Sequence, residues 1–320
     1  MPGDTARRHG NWVTSVIAAR GDNSLGMTGV AWKAGVDAVD PTLRDSLGRP
    51  VYSQGVRRVP YDVVVNEMLR LVNDGARIVN VSLGADNAPI FAASDTARLN
   101  LAASVVGSYA SGVRLSSRDP LTIVSSGNVV NGDPRESVFP LLRDSASTST
   151  IVVTASRRNN TLYSAPSSSA YIDVAAPGDS IGALSGTTSI RASGASVAAP
   201  VVSGIAALLL SFDPRLTAAE VRQLIIQGAV ASGVTAGGYP VVDAYQSLKL
   251  AAQRPGAPLC GNRVFARNDS VYAQRDPANS SSDELLGIFP QAWPAPAVEH
   301  GGRAITNHLI SGTGLNTLVY

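Results

Sequence analysis

Residues 193–212, SGASVAAPVVSGIAALLLSF, restrict what this chain can fold into more than any other stretch. Pro200 is compatible with a helix only in its first turn, where the amide hydrogens lack acceptors within the helix and a missing one costs little. A helix is therefore expected to start near Ser196. From Val197 to Leu210 only Ser203, Gly204 and the early Pro200 interrupt the apolar residues, so this helix should be buried on most sides rather than lie amphipathic on a surface. It reads as too short and too interrupted to span a bilayer. Gly194 and Ala195 are small enough for another backbone to approach Ser196 closely. A serine at the start of a buried helix faces the positive end of the helix dipole, and its own amide is available to a developing oxyanion. That suits a nucleophile. It also suits a plain N-cap, a role serine often fills, and this stretch alone leaves both readings open.

The remaining pattern is α/β. Val13, Val16 and Ile17 follow His9 at helical spacing, with Gly21 as the C-cap. The alternation in GVAWKAGVDAV predicts strands at 29–32 and 36–39, and the polar stretch 42–59, with Gly48, Pro50 and Gly55, reads as a loop or short hairpin. Val64, Met68, Leu71 and Val72 place a helix over 61–74 that ends at Gly75 and feeds the strand ARIVNVSLG, 76–84. The unit repeats as a helix over 94–111 and a strand over 120–126, the arrangement of a parallel sheet with crossover helices. Residues 129–149 read as surface loop, and 151–155 and 171–175 as further strands. Serine and threonine clusters at 145–150, 167–169 and 185–189 have loop composition. Thr217 and Glu220 form a capping box opening a helix through Val221, Leu224 and Ile225, and Asp243 starts a last helix that fades by Ala252.

Composition bounds the function classes. With 44% hydrophobic and 16% charged residues over 320 positions, the chain can bury a large core and does not read as disordered. The net charge of +2, from 26 basic and 24 acidic residues without long single-sign runs, argues against nucleic acid or an anionic membrane as partner. Aromatics at 5% argue against base-stacking platforms. The single cysteine, Cys260, excludes a disulfide within the chain and a multi-cysteine metal site.

GASVAAP around Ser196 resembles the nucleophile block of the subtilisin-like serine proteases, usually Gly-Thr-Ser-Met-Ala-x-Pro. Four other segments resemble the family's blocks in the family's order: HGNWVTSVIAA (9–19), ARIVNVSLG (76–84), SSGN (125–128) and IDVAAPG (172–178). The resemblance implies a three-layer α/β fold, a parallel sheet with helices on both faces, and a serine endopeptidase without metal or organic cofactor. It implies Ser196 as nucleophile and His9 as general base, the other two histidines, His300 and His308, lying in the tail. Trp12 stands where the family usually has a second histidine. Asn128 becomes the side-chain oxyanion donor, although a turn asparagine after Gly127 is common. Ser82, Leu83 and Gly84, with Ser125, Ser126 and Gly127, become the walls against which a polypeptide substrate lies as an added strand. A simple strand exit is the other reading of SLG. No fixed charge in these segments would select a charged side chain, so cleavage is expected to be broad or to favour apolar residues.

The family's aspartate lies in an Asp-Ser/Thr-Gly block at a strand end well before the histidine. Only eight residues precede His9, and Asp4 in GDTARR is the sole acid among them. Asp4 reads as a structural residue, so the chain is expected to be N-terminally incomplete. Family members often bind structural calcium, but no acidic cluster at loop spacing names ligands here. The resemblance favours a secreted or cell-envelope protein; the chain carries no signal peptide pattern. The peptidase domain is expected over 1–252. Proline and glycine at 252–262 mark a linker to a small β-like extension, or the start of a further domain, over 253–320, with short strands at NRVFA and SVYAQ. Asn80, Asn159, Asn268 and Asn279 sit in glycosylation-type triplets, which are frequent by chance. The rival class is a catalytically inactive protease fold that binds peptides or protein partners.

Overall fold

The computed structural model describes residues 5–23, 26–53, 56–57, 59–83, 96–128, 139–144, 149–164, 171–257, 263–267, 270–274 and 284–288. The chain divides into two compact units, Met1–Gln253 and Arg254–Tyr320. In the first, four parallel strands stand in the order β3 (Ile78–Val81), β4 (Leu121–Ser125), β5 (Ser149–Ser156) and β6 (Val174–Pro177). Ile78 pairs with Leu121, Leu121 with Ser149, and Val153 with Val174. β4 and β5 are buried over almost their whole length, as expected of strands rich in β-branched residues and covered on both faces, whereas β3 at the edge alternates.

Helices α2 (Tyr61–Asn73) and α3 (Thr96–Leu115) cover one face, where Val64, Met68, Val72, Val105 and Tyr109 pack with Val79, Val81 and Val124. Tyr109 Oη is hydrogen-bonded to Thr122 Oγ1 at 3.0 Å, and burial pushes its pKa up to about 12. The other face is covered by α4 (Ala195–Phe212) and α5 (Ala218–Ala231), whose Val202, Leu209 and Ile225 pack with Ile123, Ile151 and Val153. The fold is thus α/β in three layers. The Thr217–Glu220 capping box opens α5, and Asp243 Oδ1 accepts from the Gln246 amide at 2.9 Å to cap α6 (Ala244–Gln253). By length and composition α4 could cross a membrane, which its interruptions had argued against; 67% of it is buried inside the fold, as a core helix requires.

Helix α1 (Thr5–Ala18) rests on a smaller core, where Val16 meets Ala183, Ala192 and Val197. That core is built by α4 and an antiparallel hairpin, β7 (Ile181–Ser185) and β8 (Thr188–Ala192). Ser15 Oγ donates to Trp12 O at 2.8 Å and accepts from the Leu184 amide at 2.9 Å, which pins α1 to β7.

Several local expectations are corrected. Residues 29–32 and 36–39 are not strands. The amides of Gly29, Val30 and Ala31 donate to the carbonyls of Ala19, Val16 and Ile17 at 2.8–3.0 Å, so the returning chain closes the end of α1 instead of joining a sheet. A Cβ at Gly29 would sit 2.4 Å from the Ala19 nitrogen, which is why glycine is needed there. Gly21 is not the C-cap of α1, which ends at Ala18; it gives room for Trp32. β6 begins three residues later than expected, because Asp173 uses its carboxylate on the Val152 amide before the ladder starts. Within 129–149, a 3-10 helix spans Phe139–Asp144 and β5 begins at Ser149. The cluster at 185–189 is the turn of the β7–β8 hairpin, with Gly186 at φ +63°. The stretch 42–59 holds the small hairpin β1 (Tyr52–Ser53) and β2 (Val56–Arg57). A second short hairpin, β9 (Thr235–Ala236) and β10 (Tyr239–Pro240), precedes α6.

Among the described residues of the second unit, an antiparallel sheet stands in the order β11 (Arg263–Arg267), β12 (Ser270–Gln274) and β13 (Glu284–Ile288). The first two strands fall on NRVFA and SVYAQ. Cys260, Asn268, Asn279, His300 and His308 lie outside the described residues.

Candidate active site

The site forms where the carboxyl ends of the parallel strands meet the start of α4, the usual place for ligands in open α/β sheets. Beyond β4 the ladder runs one residue further, Ser126 donating its amide to Val153 O at 2.9 Å. Gly127 then turns the chain at φ +85°, a conformation that only glycine adopts without strain. The turn delivers Asn128, whose Oδ1 accepts from the Ala195 amide at 2.7 Å. This bond fixes the amide's orientation: the oxygen faces the helix, and Nδ2 becomes the donor side. From β6, Gly178 O accepts from the Gly194 amide at 2.7 Å. Two strand exits thus grip the two residues that precede Ser196.

Both glycines are sterically required. Gly194, the N-cap of α4, has φ +132°, and a Cβ there would lie 2.8 Å from Asn128 Oδ1. A Cβ on Gly178 would lie 2.5 Å from that of Ala155. Because the cap is Gly194, Ser196 is not the N-cap that its sequence also allowed. It stands half-buried inside the first turn, among amides that have no acceptor within the helix. Pro200 is not in the first turn, where the sequence places it: it is the sixth residue of α4 and lies inside the helix, where its missing amide takes the i+4 donor away from the Ser196 carbonyl.

His9 lies half-buried in α1, its ring edge-on to Trp12 with centroids 5.7 Å apart. Helices α1 and α4 pack directly together, through Val16 and Trp12 against Val197 and Val201. Ser82 and Leu83 follow β3 at the same end of the sheet, Ser82 buried and Leu83 half-buried; Gly84 lies outside the described residues. Ser125 and Ser126 are buried and Gly127 is half-buried, so these residues offer walls and main chain rather than projecting side chains.

Among the described residues, the buried carboxylates lie elsewhere. Asp173 precedes β6 and pairs with Arg143 and Arg222 at 2.9 and 2.8 Å. Asp213, paired with Arg215 at 2.9 Å, follows α4, an 18-residue helix about 27 Å long. Both therefore stand at the end of the unit opposite Ser196. Asp179 is near the site: its Oδ1 accepts from Ser193 Oγ at 3.0 Å, and its Oδ2 lies 3.8 Å from Arg157. Asp4 lies outside the described residues. Among the described residues no group of three or more His, Cys, Asp or Glu could hold a metal ion.

Asn80 and Ser203 belong to the site's surroundings, and their pairing is not legible in the sequence. Ser203 Oγ donates to Asn80 Oδ1 at 2.9 Å, and Asn80 Nδ2 donates to Ser82 Oγ at 2.9 Å. The available signal was one polar residue in a valine-rich strand and another in an apolar helix, each of which needs a partner.

The subtilase family model matches residues 2–254. The chain is similar to Subtilisin E of Bacillus subtilis (strain 168), 32% identical over 215 residues that cover 67% of this chain and 48% of that protein, so it spans about half of that relative's length. It is 29% identical to Subtilisin DY of Bacillus licheniformis over 227 residues, 70% of this chain and 71% of the relative. Among solved structures, a protease from Pseudoalteromonas arctica PAMC 21717 matches with a TM-score of 0.54 at 20% identity, covering 76% of this chain and 70% of that one. The prenylagaramide maturation protease PagA matches with a TM-score of 0.53 at 22% identity, covering 76% and 82%. These two share the fold. With a family model spanning the whole first unit and five sequence blocks in order, the chain belongs to the subtilase family of serine proteases.

Proposed function

We propose that this chain is a serine endopeptidase whose nucleophile is Ser196. Ser196 Oγ attacks the scissile carbonyl while His9 accepts its proton, and His9 then gives that proton to the leaving amine as the C–N bond breaks. The acyl group remains on Ser196 as an ester. Water, deprotonated by His9, hydrolyses that ester and restores the serine. Asn128 Nδ2 and the Ser196 amide stabilise the oxyanion in both steps. In subtilisin itself, removing one such donor costs about 10²–10³ in turnover. The polypeptide lies against Ser82, Leu83 and Gly84 on one side and Ser125, Ser126 and Gly127 on the other, and cleavage is broad or favours apolar residues. The peptidase domain occupies 1–252 and the extension 253–320.

The observation that carries this reading is the Asn128–Ala195 hydrogen bond, because it joins the oxyanion candidate to the first turn that holds Ser196. A fluorophosphonate probe should label Ser196, and Ser196→Ala should abolish labelling; a label on another serine would sink the assignment. The placement of Asp173 and Asp213 at the opposite end favours a second reading, an inactive protease fold that binds peptides. Under that reading the probe labels nothing while unfolded polypeptides still bind.

A further inference from the structure

In β3, Val79 and Val81 face the α2–α3 core, while Ile78 packs against the core formed with α4 and α5. By strand alternation Asn80 shares the face of Ile78, where an amide is costly unless it is paired. Its partner comes from the middle of α4: Ser203, 1% exposed, donates to Asn80 Oδ1 at 2.9 Å, a shorter bond than its 3.3 Å approach to Ala199 O. Asn80 passes the connection on, since Nδ2 donates to Ser82 Oγ at 2.9 Å. Ser82 is the first residue of the candidate cleft. A side-chain strut therefore runs from the helix that carries Ser196, through the edge strand, to the strand exit. With both sides of its amide engaged, Asn80 is committed to this strut and not to the glycosylation triplet in which it stands.

We propose that Asn80 and Ser203 are positioning residues of the cleft, holding Ser82 and Leu83 at a fixed height relative to Ser196. This deepens the proposed function and rests on its assignment of 82–84 as a substrate wall. A peptide laid against that wall as an added strand takes its position from the wall's main chain. The β3–β4 ladder persists without the strut, so the loss expected in binding is that of one side-chain hydrogen bond, at most about tenfold.

The test measures binding of fluorescein-labelled β-casein, an unfolded polypeptide, to the full chain carrying Ser196→Ala. Adding Ser203→Ala or Ser82→Ala should each weaken binding, by at most about tenfold, and the double substitution should be no weaker than the poorer single, because both cut the same strut. Ser203→Cys, which keeps a weak donor, should recover part of the affinity. Alanine suits a helix interior, so Ser203→Ala is expected to fold. A merely structural role would lower the melting temperature without coupling the two substitutions. Unchanged affinities, losses that multiply in the double variant, or no casein binding by the parent would each overturn the proposal. Coupled binding losses in a chain that the fluorophosphonate probe never labels would sustain the strut and remove the nucleophile assignment instead.

Discussion

Asp173 is a buried carboxylate with partners on three separate elements, and Asp173→Asn measures what it contributes. Its side chain is 3% exposed; Oδ1 accepts from Arg143 Nε at 2.9 Å and Arg222 Nη2 at 2.8 Å, and Oδ2 accepts from the Val152 amide at 2.9 Å. Arg222 Nε also donates to Thr150 O at 2.7 Å. One residue therefore fastens α5, the 3-10 helix and the β5–β6 edge together. Asparagine keeps the shape and one acceptor but removes the charge, leaving two arginines without a counter-ion. Breaking a fully buried pair costs about 3–5 kcal/mol. The arginines are 31% and 33% exposed, so water screens part of the orphaned charge and the expected cost falls to about 2–3 kcal/mol. For a unit of this size that lowers the melting temperature by roughly 4–12 °C. Thermal unfolding followed by circular dichroism provides the measurement, with the exposed Asp74→Asn as a control expected to melt close to the parent. Because Asp173 lies at the end of the sheet opposite Ser196, fluorophosphonate labelling well below the melting temperature should be unaffected. A variant melting within about 1 °C of the parent would refute the view that these ion pairs hold the layers together.

Gly194→Ala forces φ +132° on an alanine and places its Cβ 2.8 Å from Asn128 Oδ1. The amide must swing away from Ala195, so peptide hydrolysis should fall by about 10²–10³; an unchanged rate would show that Asn128 is no oxyanion donor. Tyr109, with its pKa pushed up from 10 to about 12 by burial, stays protonated in the folded chain where the unfolded chain ionises. Its contribution is complete below pH 10 and is lost as pH rises to about 12. Urea midpoints should therefore drop across that window, and Tyr109→Phe should flatten the drop.

The parts of the fold legible in sequence are those whose signal is local. The apolar run from Val197 to Leu210 defines α4, apolar β-branched residues define β4 and β5, and Thr217 with Glu220 defines the start of α5. The segment 29–39 has a strand's alternation, but alternation names no partner, and the carbonyls at the end of α1 claim its first amides. The β7–β8 hairpin was obscured because TSIRA is mostly exposed and therefore polar; Gly186 at its turn was the usable sign. β9–β10 carried a clearer one, the Gly237–Gly238 pair with φ +56° and +91° that a two-residue hairpin turn favours.

For the candidate site, residue types were legible and their connections were not. Asn128 and Ser196 stand out within their own blocks, but the bond that draws Asn128 to Ala195 spans 67 residues, and that from Ser203 to Asn80 spans 123. A sequence can say that a polar residue in a buried element needs a partner; it cannot say which loop or helix supplies it. The fold meets that need for Thr122 with Tyr109, for Ser203 with Asn80 and for Asp173 with its arginines. Among the described residues, Trp12 Nε1 and Thr154 Oγ1 are buried without a hydrogen-bond partner. An unpaired buried donor costs about 1–3 kcal/mol, and Trp12 lies against His9 on the helix that carries the candidate base. Its bulk fills the small core between α1, the β7–β8 hairpin and α4, so packing gained there offsets the lost hydrogen bond. At this position the seating of α1 on α4 is determined by shape rather than by polar pairing, and the position of His9 is determined with it.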